Sequence, residues 1–409
     1  MKVLYLSYDG MCDDLGRSQV IPYLQGLSNK GHRLHVISFE KKGPFRKNYN
    51  KISQILNVSN IEWTPLKFST SPPFISKLYD LFKMRRSAIE QYRKSAFKVV
   101  HCRSYVAAFT GLYLQRRYGV RFVFDMRGFW VDERIEGNIW NYNNPLHWLA
   151  VRYFRKLENK FFRKADAIVS LTNKGREFIG DEFGDIASIR TRVIPCCVDS
   201  SLFAAKNISP EEKEEARQKL GIAPYHFVLS YLGSTGTWYK TREMLLFYKR
   251  LLKLLPDTLF LFITGDEPGK ILHMAYSLDL DPSDIIIIHS EREKVPLYLS
   301  LSDISIFFIK PVFSKTASSP TKQGEIMSMG IPFITNSGIG DIDEIVDESQ
   351  AGILVDGFSF DAFDSAIAKI PEMLGRNRES IRNFAKSRFN LESGVEMYHE
   401  IYQAMRLRG

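Results

Sequence analysis

The sequence predicts two consecutive α/β domains, each a doubly wound parallel sheet covered by helices on both faces. Two observations carry this. Short apolar runs alternate with helical stretches along the whole chain, the pattern of parallel strands joined by crossover helices. The 409 residues exceed what one ordinary core holds and suit two domains of roughly 200 residues each.

In chain order, the front half offers strands at 3–7, 33–39, 99–102, 121–124, 167–171 and 192–195. The back half offers 227–232, 259–264, 285–289, 304–308, 332–336 and 352–355. The stretch 196–215, whose acidic EEKEEAR opens a helix, is read as the connection. Residues 386–409 read as one amphipathic helix with Phe389, Tyr398 and Tyr402, able to pack back on the first domain. The expected division is therefore 1–195, 196–385 and a C-terminal helix, 386–409. Ligands of such sheets bind beyond the carboxyl ends of the strands, and two such domains facing one another would gather those ends around a central cleft.

Charge and composition narrow the function. Residues 1–195 carry 33 Lys+Arg against 17 Asp+Glu, net +16, and 196–409 carry 23 against 29, net −6, which sum to the +10 of the chain. Two basic stretches, 77–98 and 152–164, interleave aromatics with bases at helical spacing. Such a stretch suits an anionic membrane surface or acidic substrates, although a solvated helix whose aromatic stripe enters the core is the commoner arrangement. No nucleic-acid signature accompanies the charge. No apolar run approaches the roughly 20 residues of a membrane span. The four cysteines lack any CxxC spacing, which argues against both a disulfide framework and a zinc site. MKVLYLSYDG leads straight into a strand without a secretion signal, so a cytoplasmic location is expected.

The motifs follow the strand ends. After the first strand, YDGMCDDLGRSQ supplies Gly16, which permits close backbone approach, and Ser18, a candidate helix cap. The fourth ends in FDMRGFWVDE, setting Asp125, Arg127 and Glu133 beside Phe129 and Trp130, either as substrate contacts or as an Asp125–Arg127 pair that holds the loop. After the first strand of the back half comes GSTGTWYK, with Ser234, Thr235 and Lys240, which suits a phosphate cradle or a plain strand-to-helix turn. It is neither a Walker loop nor GxGxxG.

The most informative segment is SSPTKQGEIMSMG, residues 318–330. Ser319 suits an N-cap and Pro320 the first helical position. A helix starting here would present free amides and a positive dipole end, reinforced by Ser319, Thr321 and Lys322, to a phosphate. Glu325, a turn later, would reach a polyol such as ribose. Ser-Pro-Thr also starts helices that bind nothing.

These segments, with ADAIVSLTNKGREFI and VIPCCVDSSLF between them, resemble retaining glycosyltransferases of the GT-B fold, family 4, over nearly the whole chain. The resemblance implies that Glu325 holds the ribose of a nucleotide diphosphate sugar and that Gly16, Ser319, Thr321 and Lys240 lie near its diphosphate. It sets His289 to Arg292 beside the base. It also implies sugar transfer to a saccharide or lipid-linked acceptor, without cofactor or metal, in surface polysaccharide or glycolipid synthesis. Two departures stand out. The first glutamate of the family's pair is Ala317, and a histidine usual near the fourth strand is replaced by Arg127. An epimerase of similar fold and a non-catalytic sugar-nucleotide binder are the alternatives.

Overall fold

The computed structural model describes residues 1–72 and 75–407. It divides into two compact units, Met1–Cys197 with Leu391–Gly409, and Val198–Asn390.

The first unit holds a seven-stranded sheet of order β3-β2-β1-β4-β5-β6-β7. Its strands are β1 (Lys2–Ser7), β2 (Arg33–Glu40), β3 (Ile61–Lys67), β4 (Val99–Arg103), β5 (Arg121–Asp125), β6 (Ala167–Ser170) and β7 (Thr191–Val193). Every pairing is parallel. β3 escaped the sequence reading because it is an edge strand: its side chains are mostly half-buried, polar residues interrupt the apolar pattern, and Pro65 removes a ladder donor.

The second unit holds a six-stranded sheet of order β10-β9-β8-β11-β12-β13. Its strands are β8 (Phe227–Leu232), β9 (Thr258–Ile263), β10 (Ile285–Ile288), β11 (Ile304–Phe307), β12 (Phe333–Asn336) and β13 (Gly352–Val355). They are parallel, and all but the half-buried edge strand β10 are almost wholly buried, which is why they read as continuous apolar runs. In both sheets the winding reverses between the first strand and the fourth, β1 and β4 in one, β8 and β11 in the other. Ligands of such folds collect at this reversal.

The expected single helix over 386–409 is two. One spans Arg378–Phe389 and the next Leu391–Leu407, parted by Asn390 in an extended conformation (φ −67°, ψ 129°). Residues 386–389 thus stay with the second unit, and 408–409 lie outside the described residues. The Leu391–Leu407 helix packs on the Ile21–Asn29 helix of the first unit, and Val395, Tyr398, Ile401, Tyr402 and Met405 enter its core. Gly26 admits this contact, since a Cβ there would meet Val395 at 2.6 Å.

Candidate functional site

In the second unit, the residues singled out by sequence converge at the reversal of the sheet. The loop after β8 and the loop after β11 are zipped together: the Lys240 amide donates to the Phe308 carbonyl at 2.9 Å and the Lys310 amide to the Trp238 carbonyl at 2.8 Å. The second loop leads into the helix Thr321–Ser328. Its start differs from expectation. Pro320 is the cap residue, held extended at ψ 117°, so Ser319 belongs to the approach rather than the cap.

Lys322 is the centre of this arrangement. It is 6% exposed. Its Nζ donates to the Tyr231 hydroxyl at 2.8 Å and lies 4.1 Å from the Tyr231 ring centroid and 3.7 Å from that of Tyr239. The Tyr231 hydroxyl in turn donates to the Ser234 carbonyl, so one phenol ties the lysine to the loop. Gly233, at φ +106°, keeps the space open, because a Cβ there would stand 3.1 Å from Nζ. Among the described residues no carboxylate is within ion-pair distance of Lys322. Burial therefore pushes the ammonium well below the ordinary lysine range, and the more distant charges of Glu325 and Asp266 only partly oppose that.

Glu325, one turn along, is 5% exposed. Its Oε1 stands 2.8 Å from Arg292 Nη1, an approach whose angles fall short of a hydrogen bond. Two residues expected to contact a nucleotide are thus brought together, and the Arg292 guanidinium also lies 5.1 Å from the Phe203 ring. Thr235 is fixed through its amide and its hydroxyl, both donating to Asp266 Oδ2. Lys240 pairs with Glu243 on its own helix and sits 5.4 Å from the Phe358 ring. Thr321 is half-buried at the helix start. Ala317, where the family's carboxylate would stand, is a fully buried methyl in a short turn.

The first unit holds Gly16, Asp125, Arg127 and Glu133. Gly16 answers to internal packing, since a Cβ would lie 2.1 Å from the Gly10 carbonyl oxygen. The loop it touches is held by buried Glu40, which accepts from the Met11 amide at 2.7 Å and the Cys12 amide at 3.1 Å. Ser18 does not cap: its hydroxyl donates to the Asp14 carbonyl inside the helix Asp14–Gln19.

Asp125 is 1% exposed. It accepts from the Tyr398 hydroxyl at 3.1 Å and lies 3.5 Å from His101 Nε2. Burial pushes its carboxyl up, but Arg127, His101 and Arg103 outweigh that and hold it below the usual range. Arg127 occupies the left-handed region (φ +62°), a strained setting for a side chain this large. Its guanidinium lies 3.8 Å from Asp125 and 3.3 Å from Cys196 Sγ. Asp125 and Arg127 are thus paired with each other across their loop, and Tyr398 of the last helix anchors Asp125. Glu133 is half-buried on the helix Trp130–Glu136.

Sequence reasoning missed Tyr231, Tyr239, Asp266 and Glu40. Asp266 and Glu40 do stand at strand ends, the one available signal. Tyr231 reads as an ordinary strand residue, and only its partner Lys322 on the helix Thr321–Ser328 gives it a role. Lys315 was also missed: it is buried with its Nζ 3.8 Å from the Trp238 ring. Among the described residues no group of three His, Cys, Asp or Glu could hold a metal ion.

Comparison with known proteins gives a consistent fold. The family Glycosyltransferase Family 4 matches residues 20–202, and the family Glycosyl transferases group 1 matches residues 212–388. Among solved structures, sucrose-phosphate synthase from Thermosynechococcus elongatus is similar with a TM-score of 0.76 at 14% identity, covering 100% of both chains. HepE from Anabaena, solved with UDP and glucose, has a TM-score of 0.69 at 14% identity, covering 98% of this chain and 99% of its own. A UDP-GlcNAc 2-epimerase from Neisseria meningitidis, bound to UDP-GlcNAc, has a TM-score of 0.60 at 14% identity, covering 99% of this chain and 100% of its own. At these identities the likeness is one of fold. No curated protein matches the chain significantly.

Proposed function

We propose, because the chain belongs to the GT-B glycosyltransferases of family 4, that it moves a sugar from a nucleotide diphosphate sugar to a hydroxyl of a saccharide or lipid-linked acceptor. The reading includes retention at the anomeric carbon, no metal or cofactor, and a place in surface polysaccharide or glycolipid synthesis in the cytoplasm. One observation carries it: a buried ammonium, Lys322, stands at the start of a helix at the sheet reversal, held by a phenol and two aromatic faces with no carboxylate of the described residues in ion-pair range. A buried cation without a counter-charge is costly, and a diphosphate supplies the missing charge.

In this mechanism the bond between the anomeric carbon and the diphosphate oxygen breaks, and the electron pair leaves with the phosphate. Charge grows on the leaving group, so Lys322, Lys240 and the amides at Thr321 and Lys322 act where it develops. The acceptor oxygen forms the new bond to carbon, and its proton passes to the departing diphosphate. Glu325 orients the ribose, with Arg292 beside it near the base. Ser234, Thr235 and Ser319 line the phosphate side. Arg127, Asp125 and Glu133 are assigned to positioning the acceptor or neutralising phosphate, and Gly16 to the donor's phosphate side.

Calorimetry with UDP, GDP and ADP, each against its monophosphate, tests this. Preference for one diphosphate supports the reading; equal affinity for diphosphate and monophosphate overturns it. An epimerase of this fold would release free sugar and nucleotide without an acceptor, so product analysis separates the two activities.

A further inference from the structure

The first unit bears a surface that the transfer chemistry does not use. The helix Ile75–Ser95 packs on Ser104–Tyr118, which packs on Pro145–Lys164, so the three form one layer. On its outside stand large apolar side chains: Leu78 (66% exposed), Phe82 (59%), Leu146 (71%) and Leu149 (56%), with Tyr79 and Tyr153 beside them. Sequence alone left open whether the aromatic stripes of the basic helices enter the core. They divide. Phe161 and Phe162 are buried, whereas these residues face outward.

The charge around them has one sign. The helix Ile75–Ser95 carries six bases against Asp80 and Glu90, and Pro145–Lys164 carries six against Glu158. Both acids nearest the core are already spent: Asp80 pairs with Lys83 at 2.8 Å and Glu158 with Arg155 at 2.8 Å. Next to Phe82 lies a groove of about 630 Å³ lined by Arg85, Arg86 and Arg93 with Ile89 and Glu90. Along Pro145–Lys164 the apolar residues lead and Lys156, Lys160, Arg163 and Lys164 follow. Among the described residues no helix is long and apolar enough to cross a membrane.

A surface with apolar anchors set among cations is complementary to a bilayer with anionic headgroups, which offers an apolar phase and negative charge together. We propose that the helices Ile75–Ser95 and Pro145–Lys164 dock this protein on an anionic phospholipid surface, with Leu78, Phe82, Leu146 and Leu149 entering the headgroup–acyl boundary. Arg85, Arg86, Arg93 and Lys156 meet lipid phosphates. The inference stands on the first unit's surface and holds whether or not the transfer reading does.

Flotation of the full chain with vesicles of phosphatidylcholine, alone or mixed with phosphatidylglycerol, tests it. Binding is expected to the mixed vesicles only and to weaken with salt. The pairs Leu78→Ser with Phe82→Ser and Leu146→Ser with Leu149→Ser remove exposed side chains, so circular dichroism and melting stay unchanged while partitioning falls roughly tenfold per anchor lost. Lys156→Glu with Lys164→Glu lowers it about fivefold or more per charge. UDP binding in solution stays as in the parent chain in every variant, which separates failure of docking from failure of the nucleotide site. Absence of flotation with anionic vesicles overturns the proposal, as does flotation that the serine pairs leave intact. A dimer in sedimentation that the serine pairs dissolve would assign the face to a second copy and overturn it too.

Discussion

Replacing Lys322 by methionine separates a ligand-binding cation from a structural one. Methionine keeps the length and volume of the side chain and fits between Tyr231 and Tyr239, where sulfur–aromatic contact is favourable. In the free protein the substitution removes a buried ammonium whose hydrogen-bond partner among the described residues is Tyr231, so stability should rise or hold, by about 0 to 2 kcal/mol. The gain has a defined pH dependence. A lysine depressed in the folded state binds fewer protons there than in the unfolded chain. It therefore destabilises at neutral pH, and this effect fades as pH rises toward the unfolded value of about 10.4. The Lys322→Met advantage should thus shrink on going from pH 7 to pH 10. A charge-assisted hydrogen bond to a phosphate contributes about 1.5–3 kcal/mol, so diphosphate affinity should fall by roughly 10- to 150-fold. Thermal denaturation across pH and calorimetry with the preferred nucleoside diphosphate measure both. A variant that is less stable yet binds the diphosphate as the parent does would refute the reasoning.

Tyr231→Phe removes the hydroxyl that links Lys322 to the Ser234 carbonyl; diphosphate affinity should drop about three- to tenfold with little change for the nucleoside alone, and an equal loss for both would point to general unfolding of the loop. Glu325→Gln leaves Arg292 without its carboxylate and should weaken nucleotides more than inorganic pyrophosphate, which lacks ribose. Gly16→Ala forces a Cβ to within 2.1 Å of the Gly10 carbonyl oxygen, for a loss of about 1–3 kcal/mol in chemical denaturation. Near the last helix, burial, the chain's amino terminus and His399 hold His32 down to about 4, and its Nε2 lies 2.8 Å from His399 Nδ1. A depressed histidine contributes stability above its unfolded value of about 6.5 that is lost as pH falls through about 4, so the parent should lose melting temperature over that window more steeply than His32→Gln.

Most strands were legible because each carries a run of largely buried apolar residues; Phe227–Leu232 and Gly352–Val355 were bounded as found. Edge strand β3 was not, since a half-exposed strand with Pro65 lacks that signal. The helix break at Asn390 was hidden because the residues on both sides favour helix, and the turn is set by which unit each helix packs against. At the site, the residues that meet at the sheet reversal were legible because glycine, serine, threonine and lysine gather after strands β8 and β11. Asp125 was read as one of two alternatives, and only Tyr398, 273 positions away, decides that it faces inward.

Residue type and period along the chain were enough to specify most strands and helices, and their alternation the α/β class, because local periodicity depends on neighbours two to four positions apart. Tertiary structure alone decided which charges are buried and with whom. Lys322 has its character from Tyr231, 91 positions earlier, and Glu325 from Arg292 across a sheet end. Dehydration and pairing of a charge depend on distance in space, which the order of residues does not carry.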